Sequence, residues 1–246
     1  MTFLNVSEIF YSIQGEGKFI GEPAIFLRLL GCNLTCNWCD SSYTWLFSKQ
    51  MQERLKNNNP NFELEVQNKQ DNAGRMSIDK LLKILTMYKI NHIVITGGEP
   101  LLQQNRLKHL LEYLVFFKVE IETNGTIVPS ELTNYHQNIH FNVSPKLSNS
   151  FNSKDRVVNN VAMEAFLTYF NSIFKFVVNK PKEIDEVIEF QKYYEIDSSK
   201  IWLMPQARTR EELYEKGIEI AELAKKYKYN YSHRLQIELY GDRRGH

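Results

Sequence analysis

Gly31-Cys32-Asn33-Leu34-Thr35-Cys36-Asn37-Trp38-Cys39-Asp40 holds every cysteine of the chain. The thiols of Cys32, Cys36 and Cys39 are spaced C-x3-C-x2-C, so one short loop can bring three thiolates onto a single inorganic centre. A four-iron, four-sulfur cluster is ordinarily held by four cysteines; with three, one iron stays open to a further ligand and the site is reactive. A structural zinc ion closes its tetrahedron with four Cys or His ligands. The next histidine, His92, falls in a later strand pattern, so zinc would need a remote ligand. Free cysteine is a common core residue, but three within eight positions, set among Gly, Asn and Asp, do not read as scattered core positions.

Outward from this loop the chain alternates strand and helix patterns. Residues 5–13 read as a strand or extended arm ending in Gln14-Gly15-Glu16-Gly17, where glycine permits close backbone approach to a ligand. Pro23 to Leu30 is an apolar run broken only by Arg28, four residues before the first cysteine. A buried arginine must be paired, either with a structural carboxylate or, through its planar fork, with a substrate carboxylate. Residues 46–76 are polar, asparagine-rich and poorly periodic, an insertion after the cysteine loop with one short helix. Ser77 N-caps a helix that places Leu81, Leu82 and Leu85 on one face. His92–Thr96 is a β-branched strand ending in Gly97-Gly98-Glu99-Pro100. Leu101–Val115 reads as a helix. Strand patterns recur at 119–123, 140–144, 174–178, 201–205 and 235–239, with helices near 159–170, 181–194 and 209–228. Such alternation argues for parallel strands wrapped by helices. Glu122, Thr123, Asn124, Ser144, Lys146 and Gln206 gather at strand ends, where barrel-like α/β enzymes carry their active sites.

At 246 residues with a net charge of +1, the chain suits one α/β domain and lacks the basic footprint of a nucleic-acid binder. No apolar run approaches the roughly 20 residues that span a bilayer, and the N-terminus has no signal-peptide pattern. Reduced cysteines suit a reducing compartment, so a cytoplasmic protein is expected. The expected partner is a small molecule.

The cysteine spacing resembles the signature of the radical S-adenosylmethionine (SAM) superfamily. In that superfamily SAM chelates the open iron, and an electron from the reduced cluster splits it to a 5′-deoxyadenosyl radical. Tyr11 to Gly17, Phe26-Leu27-Arg28-Leu29 and the run from Gly31 to Ser41 resemble, more narrowly, the 7-carboxy-7-deazaguanine synthases of queuosine and deazapurine biosynthesis. The resemblance spans the chain apart from 46–76 and the stretch near 147–160. It implies a partial (β/α)6 barrel forming a single domain over 1–246, and conversion of 6-carboxy-5,6,7,8-tetrahydropterin to 7-carboxy-7-deazaguanine with loss of ammonia. It implies a [4Fe-4S] cluster on Cys32, Cys36 and Cys39, with SAM at Trp38, Cys39, Asp40, Gly98, Glu99, Ser144, Pro145, Lys146 and Gln206. It assigns the pterin to Ile13, Gln14, Gly15, Glu16, Arg28, Thr96 and Glu122, and Mg²⁺ to Ser41. It further implies a homodimer fed by an electron donor such as flavodoxin or ferredoxin. The tail from Tyr240 resembles a family ending that folds over substrate, with His246 in place of the small apolar residue expected there. Two rival readings stand beside it: an activase that installs a glycyl radical on a protein, and a noncatalytic zinc or iron-sulfur module.

Overall fold

The computed structural model describes residues 2–59, 62, 64, 66, 73–135 and 139–245. Its chain builds strands β1 (Phe3–Ile13) and β2 (Pro23–Leu29), helix α1 (Lys49–Asn58), β3 (Gly74–Ser77), α2 (Ile78–Met87), β4 (His92–Gly97), α3 (Gln104–Leu111), β5 (Lys118–Thr123) and β6 (Ile139–Val143). Then come α4 (Lys154–Val157), α5 (Asn160–Thr168), β7 (Ile173–Val178), α6 (Ile184–Tyr194), β8 (Ile201–Pro205), α7 (Arg210–Tyr227), β9 (Asn230–Tyr231) and α8 (Leu235–Tyr240). The strands form one sheet in the order β3-β1-β2-β4-β5-β6-β7-β8-β9. β1 runs antiparallel to β2 and β3, and every pairing from β2 to β9 is parallel. The six full parallel strands β2 and β4–β8 are the expected partial barrel.

Because side chains alternate along a strand, each parallel strand serves two environments. Ile25, Leu27 and Leu29 of β2, Ile93 and Ile95 of β4, Ile121 of β5, Phe141 of β6 and Phe174 and Phe176 of β7 belong to one apolar core that also takes in Leu81, Leu85, Leu107, Phe166 and Val187 from the helices. The alternate residues Arg28, Thr96, Glu122, Asn142 and Lys175 line the hollow of the curved sheet. β2 and β8 contribute to the same hollow although four strands lie between them, which requires the sheet to curl. Its open side is laced shut by the chain after β9: Gly17 N–H donates to Ser232 Oγ at 2.8 Å and Leu235 N–H to Gly15 O at 2.9 Å. At the amino-terminal end of the parallel strands the Phe19 ring meets His140 and His92 edge-on at centroid distances of 4.8 and 5.5 Å.

Three expectations change. Residues 235–239, read as a strand from their Leu-Ile-Leu alternation, form helix α8, in which only Ile237 is buried. The last strand is instead β9, and the chain turns helical where it leaves the sheet edge to lace the barrel. The helix read over Leu101–Val115 is shorter: Pro100–Gln103 is a 3-10 turn and α3 ends at Leu111. Residues 74–76, the end of the stretch read as a poorly periodic insertion, form a strand with Ser77 that pairs with Phe3–Val6 of β1. The short helix expected in the insertion is α1, N-capped by Ser48 Oγ at 3.2 Å from Met51 N. Ser77 caps α2 as expected, accepting from Lys80 N at 3.3 Å. Most of 60–72, and His246, lie outside the described residues, among which no helix is long and apolar enough to cross a membrane.

Truncating Phe141, which is 1% exposed, should cost about 3–5 kcal/mol. Urea denaturation of Phe141→Ala against the parent protein measures it.

Candidate active site

One cavity of about 250 Å³ fills the carboxyl-terminal end of the barrel. Cys32, Cys36 and Cys39 line it on one side; Arg28, Thr96, Glu122, Asn142 and Lys175 line it from the strands. Arg28 sits beside Thr96 in the β2–β4 register and Glu122 beside Asn142 in the β5–β6 register, and Thr96 Oγ1 donates to Glu122 Oε2 at 2.7 Å. Four adjacent strands thus present one polar row.

The cysteine loop is placed by the end of β4. Glu99 N–H donates to Gly31 O at 2.8 Å, and a Cβ on Gly98 would stand 2.1 Å from that same oxygen. Gly97, at φ +141°, lies so close to Leu29 that a Cβ would meet its carbonyl at 2.2 Å. These glycines therefore serve close packing of β4 against β2 and the cysteine loop. Each thiol receives an N–H: Cys32 from Leu34 N at 3.4 Å, Cys36 from Asn152 Nδ2 at 3.3 Å and Cys39 from Trp45 Nε1 at 3.4 Å, with the Ser41 main chain also bonding Cys39. Burial pushes the thiols up, Cys32 to about 12 and Cys36 to about 11.

Ile13 at the end of β1 and Gln14, Gly15 and Glu16 of the β1–β2 loop reach the cavity. A Cβ on Gly15 would collide with the side chain of Gln236. Glu16 is the hub of the wall: it pairs with Lys175, accepts from Arg234 Nε at 3.0 Å and from Gln236 Nε2 at 2.6 Å. Burial opposes its ionisation, but Lys175 and Arg234 hold its carboxyl well below the usual range. Arg234 also binds Asp40; burial pushes that carboxyl up, but the charges of Arg234 and Arg28 and the Arg234 hydrogen bond together bring it below its ordinary value. The structural partner of Arg28 is Glu8, 2.7 Å from Nε. Burial alone would lower the Arg28 pKa, yet Tyr43 and Glu8 raise it above the ordinary value.

Trp38, Asp40, Ser41, Gly98, Ser144, Lys146 and Gln206 also line the cavity. Trp38 Nε1 donates to Asn149 Oδ1 at 3.1 Å, and Lys146 Nζ lies 5.4 Å from the Trp38 ring centroid and donates to Ser144 Oγ at 2.8 Å. Ser41 Oγ is 3.7 Å from Cys39 Sγ. Gln206 holds Lys216 through both its side chain and its carbonyl. Pro145 and Glu99 stand behind the wall. Glu99 is fully buried, accepting from Leu101 N, Thr123 Oγ1 and Asn124 N at 2.7–2.9 Å. The tail residues Gly241 to Gly245 reach the rim, where Arg244 stacks 3.7 Å from the centroid of Tyr43.

Sequence reasoning missed Lys175, Arg234, Gln236, Glu120 and Asn142. Lys175 carried the signal that marked Arg28, a lone charge in the apolar run Phe174-Lys175-Phe176. Arg234 carried none, since its partners Glu16 and Asp40 lie about 200 residues away in the chain. Glu120 lies beneath the cavity floor: its Oε1 accepts from Gln14 Nε2 at 2.9 Å and Asn142 Nδ2 at 3.2 Å. Its buried Oε2 has no hydrogen-bond partner. Burial and the neighbouring Glu122 raise its carboxyl to about 8.

A model of the radical SAM superfamily matches residues 28–189. The 7-carboxy-7-deazaguanine synthase of Hyperthermus butylicus is 32% identical over 96% of this chain and 92% of its own; that of Pyrobaculum aerophilum is 33% identical over 98% and 97%. The chain belongs to the 7-carboxy-7-deazaguanine synthase family. Among solved structures, the crystal structure of QueE from Escherichia coli is 28% identical, covers 94% of this chain and 93% of its own, and superposes with a TM-score of 0.65. Family membership makes the chain a radical SAM enzyme of deazapurine biosynthesis and sets aside both the activase and the noncatalytic module.

The residues fit the superfamily's [4Fe-4S] cluster and SAM. The donor set is three soft sulfurs on one cavity, each with its own N–H donor. Among the described residues no three Cys, His, Asp or Glu side chains converge tightly enough for a single metal ion. Ligands that each hold a different iron of a four-iron cluster stand further apart.

Two outcomes test this wall. Glu16→Gln removes the ion-pair partner of Lys175 and one of the two carboxylates that hold Arg234, and should cost roughly 3–5 kcal/mol by urea denaturation at neutral pH. Glu120 keeps, when folded, a proton that the unfolded chain releases above its ordinary 4.5, so it lowers stability as pH rises toward about 8. Glu120→Gln should match the parent melting temperature near pH 4 and exceed it increasingly toward pH 8; a pH-independent difference would contradict the assignment.

Proposed function

We propose that this chain converts 6-carboxy-5,6,7,8-tetrahydropterin into 7-carboxy-7-deazaguanine with release of ammonia. The observation that carries the reading is one cavity with three thiols on one side and, facing it from the strands, a row of groups suited to a polar heterocyclic acid. When bound, the reduced cluster and SAM supply the radical that takes a hydrogen atom from C6 of the pterin.

The chain's own residues bind, orient and shield. Arg28, fixed at Nε by Glu8, offers its outer N–H groups to the substrate carboxylate. Glu122, oriented by the Thr96 hydroxyl, accepts from ring N–H groups. Ile13, Gln14, Gly15 and Glu16 form the edge against which the pterin lies, with Glu16 kept ionised by Lys175 and Arg234. Gly97 and Gly98 line the cavity, and their carbonyls would accept from the amino group of SAM. Trp38, Asp40, Ser144, Lys146 and Gln206 surround the rest of SAM, while Glu99 and Pro145 act from behind by fixing the strand ends. Ser41 Oγ offers one hard ligand to Mg²⁺, completed by substrate oxygen and water. A cavity laced along its open side by the chain after β9 limits the water that could quench a radical. We further assign a flavodoxin- or ferredoxin-class donor, a homodimer and a cytoplasmic setting.

The test is anaerobic. Reconstituted and reduced protein, given SAM, Mg²⁺ and 6-carboxytetrahydropterin, should form 5′-deoxyadenosine and the deazapurine together, by mass spectrometry. Cys36→Ala should abolish both, and chelating Mg²⁺ should slow deazapurine formation. Deoxyadenosine without deazapurine from loaded protein would overturn the substrate.

A further inference from the structure

The segment near 147–160 lies outside the motif resemblance, yet it folds directly onto the cysteine loop. Asn37 N–H donates to Ser150 O at 3.2 Å, and Val157 of α4 packs against Leu34 and Cys36. At the centre of this contact, Asn152 Nδ2 donates to Cys36 Sγ at 3.3 Å while its Oδ1 accepts from Thr35 N at 3.0 Å. That second bond fixes which way the amide faces: with the oxygen taken by a main-chain N–H, the NH2 group is turned to the sulfur. On the opposite side of the loop, Trp45 Nε1 donates to Cys39 Sγ at 3.4 Å. The Trp45 ring is 4% exposed, locked among Leu46, Phe62 and Leu64, with Cys32 and Cys39 packed against the same cluster. Two of the three sulfurs thus have a side-chain N–H donor held by its surroundings, and the third has a main-chain one.

We propose that Asn152 and Trp45 are positioning residues that set the reduction potential of the cluster by donating side-chain N–H bonds to the sulfurs of Cys36 and Cys39. The inference rests on the cluster assignment made above. Cluster potentials respond to hydrogen bonds to sulfur, to net charge and to solvent exposure. One-electron reduction by a low-potential donor adds one negative charge to the cluster and its thiolates. An N–H dipole aimed at sulfur stabilises that added charge, since bonds to the more anionic acceptor are stronger, so each donor makes reduction easier. Around a buried, sulfur-ligated centre the neighbouring chain is the lever that remains once the ligands are fixed. Removing either N–H should move the midpoint to more negative values.

The measurement is an EPR-monitored redox titration of anaerobically reconstituted protein, with iron and sulfide content determined in parallel. Trp45→Phe, which deletes the N–H and keeps an aromatic ring, and Asn152→Ala should each have a more negative midpoint than the parent, and the double variant a midpoint more negative than either. Asn152→Asp can keep an oxygen toward Thr35 N while facing the sulfur with a carboxylate; its shift should exceed that of Asn152→Ala. Midpoints equal to the parent's in both Trp45→Phe and Asn152→Ala overturn the inference. Loss of cluster from Asn152→Ala, with an unmoved midpoint in what remains and in Trp45→Phe, also overturns it by reducing Asn152 to a structural tether. Should Asn152→Ala take up no cluster at all, Trp45→Phe decides. Failure of the parent chain to assemble any cluster overturns the cluster assignment and this inference with it, whereas unmoved midpoints on loaded protein overturn this inference alone.

Discussion

The carboxylate of Glu16 is the point on which the site depends. It lies on the loop between the first two strands, yet its partners come from β7 and from the segment after β9, so its ion pairs with Lys175 and Arg234 tie the β1–β2 end of the sheet to its β7–β9 end across the barrel's open side. A partial barrel is a curved sheet whose two ends do not pair. Curvature brings the β1–β2 loop near the chain after β9, and Glu16, Ser232 and the Gly15 carbonyl supply the bonds that hold them. Arg234 extends the same hub to Asp40, beside the last cysteine. One buried charge cluster therefore ties together the substrate edge, the cysteine loop and the carboxyl-terminal segment. Buried charges are costly to isolate, so the segments are held to one another by the penalty for separating them.

The alternation of the parallel strands explains how the barrel can be both stable and reactive. Phe141, Phe174, Phe176 and Ile95 face the helices and make a dry apolar layer. Their neighbours Asn142, Lys175 and Thr96 face the hollow. Stability and chemistry are thus divided between two faces of the same strands, one residue apart. The hollow itself is graded: thiols and lysine at the mouth, the Arg28–Glu122 row across the middle, Glu120 with its unpartnered oxygen beneath, and Phe19 packed against two histidines at the amino-terminal end of the strands.

The surroundings of the cysteine loop show the same economy of construction. Gly98 is small because the Gly31 carbonyl and Cys32 occupy the space a side chain would need. Trp45 and Asn152 approach from opposite sides and from distant parts of the sequence, and each ends in an N–H directed at sulfur. Three soft ligands with matched donors are a site shaped for charge that accumulates on sulfur.

The sequence by itself determined the chemistry of the centre and the class of the fold. Three cysteines in one loop and βα alternation are local patterns, readable because ligand spacing and side-chain periodicity act over a few residues. Arg28 was legible for the same reason, as a charge inside an apolar run, and Lys175 carried the same mark. What only the tertiary structure decided were pairings between distant segments: Glu8 for Arg28, Arg234 for Glu16 and Asp40, Asn152 for Cys36. It also decided that residues 235–240 are a helix, because their Leu-Ile-Leu alternation fits a strand only where a sheet edge is there to receive it. Local pattern sets which groups a segment can offer. Which of them meet depends on how the sheet curves, and that curvature is a property of all its strands together.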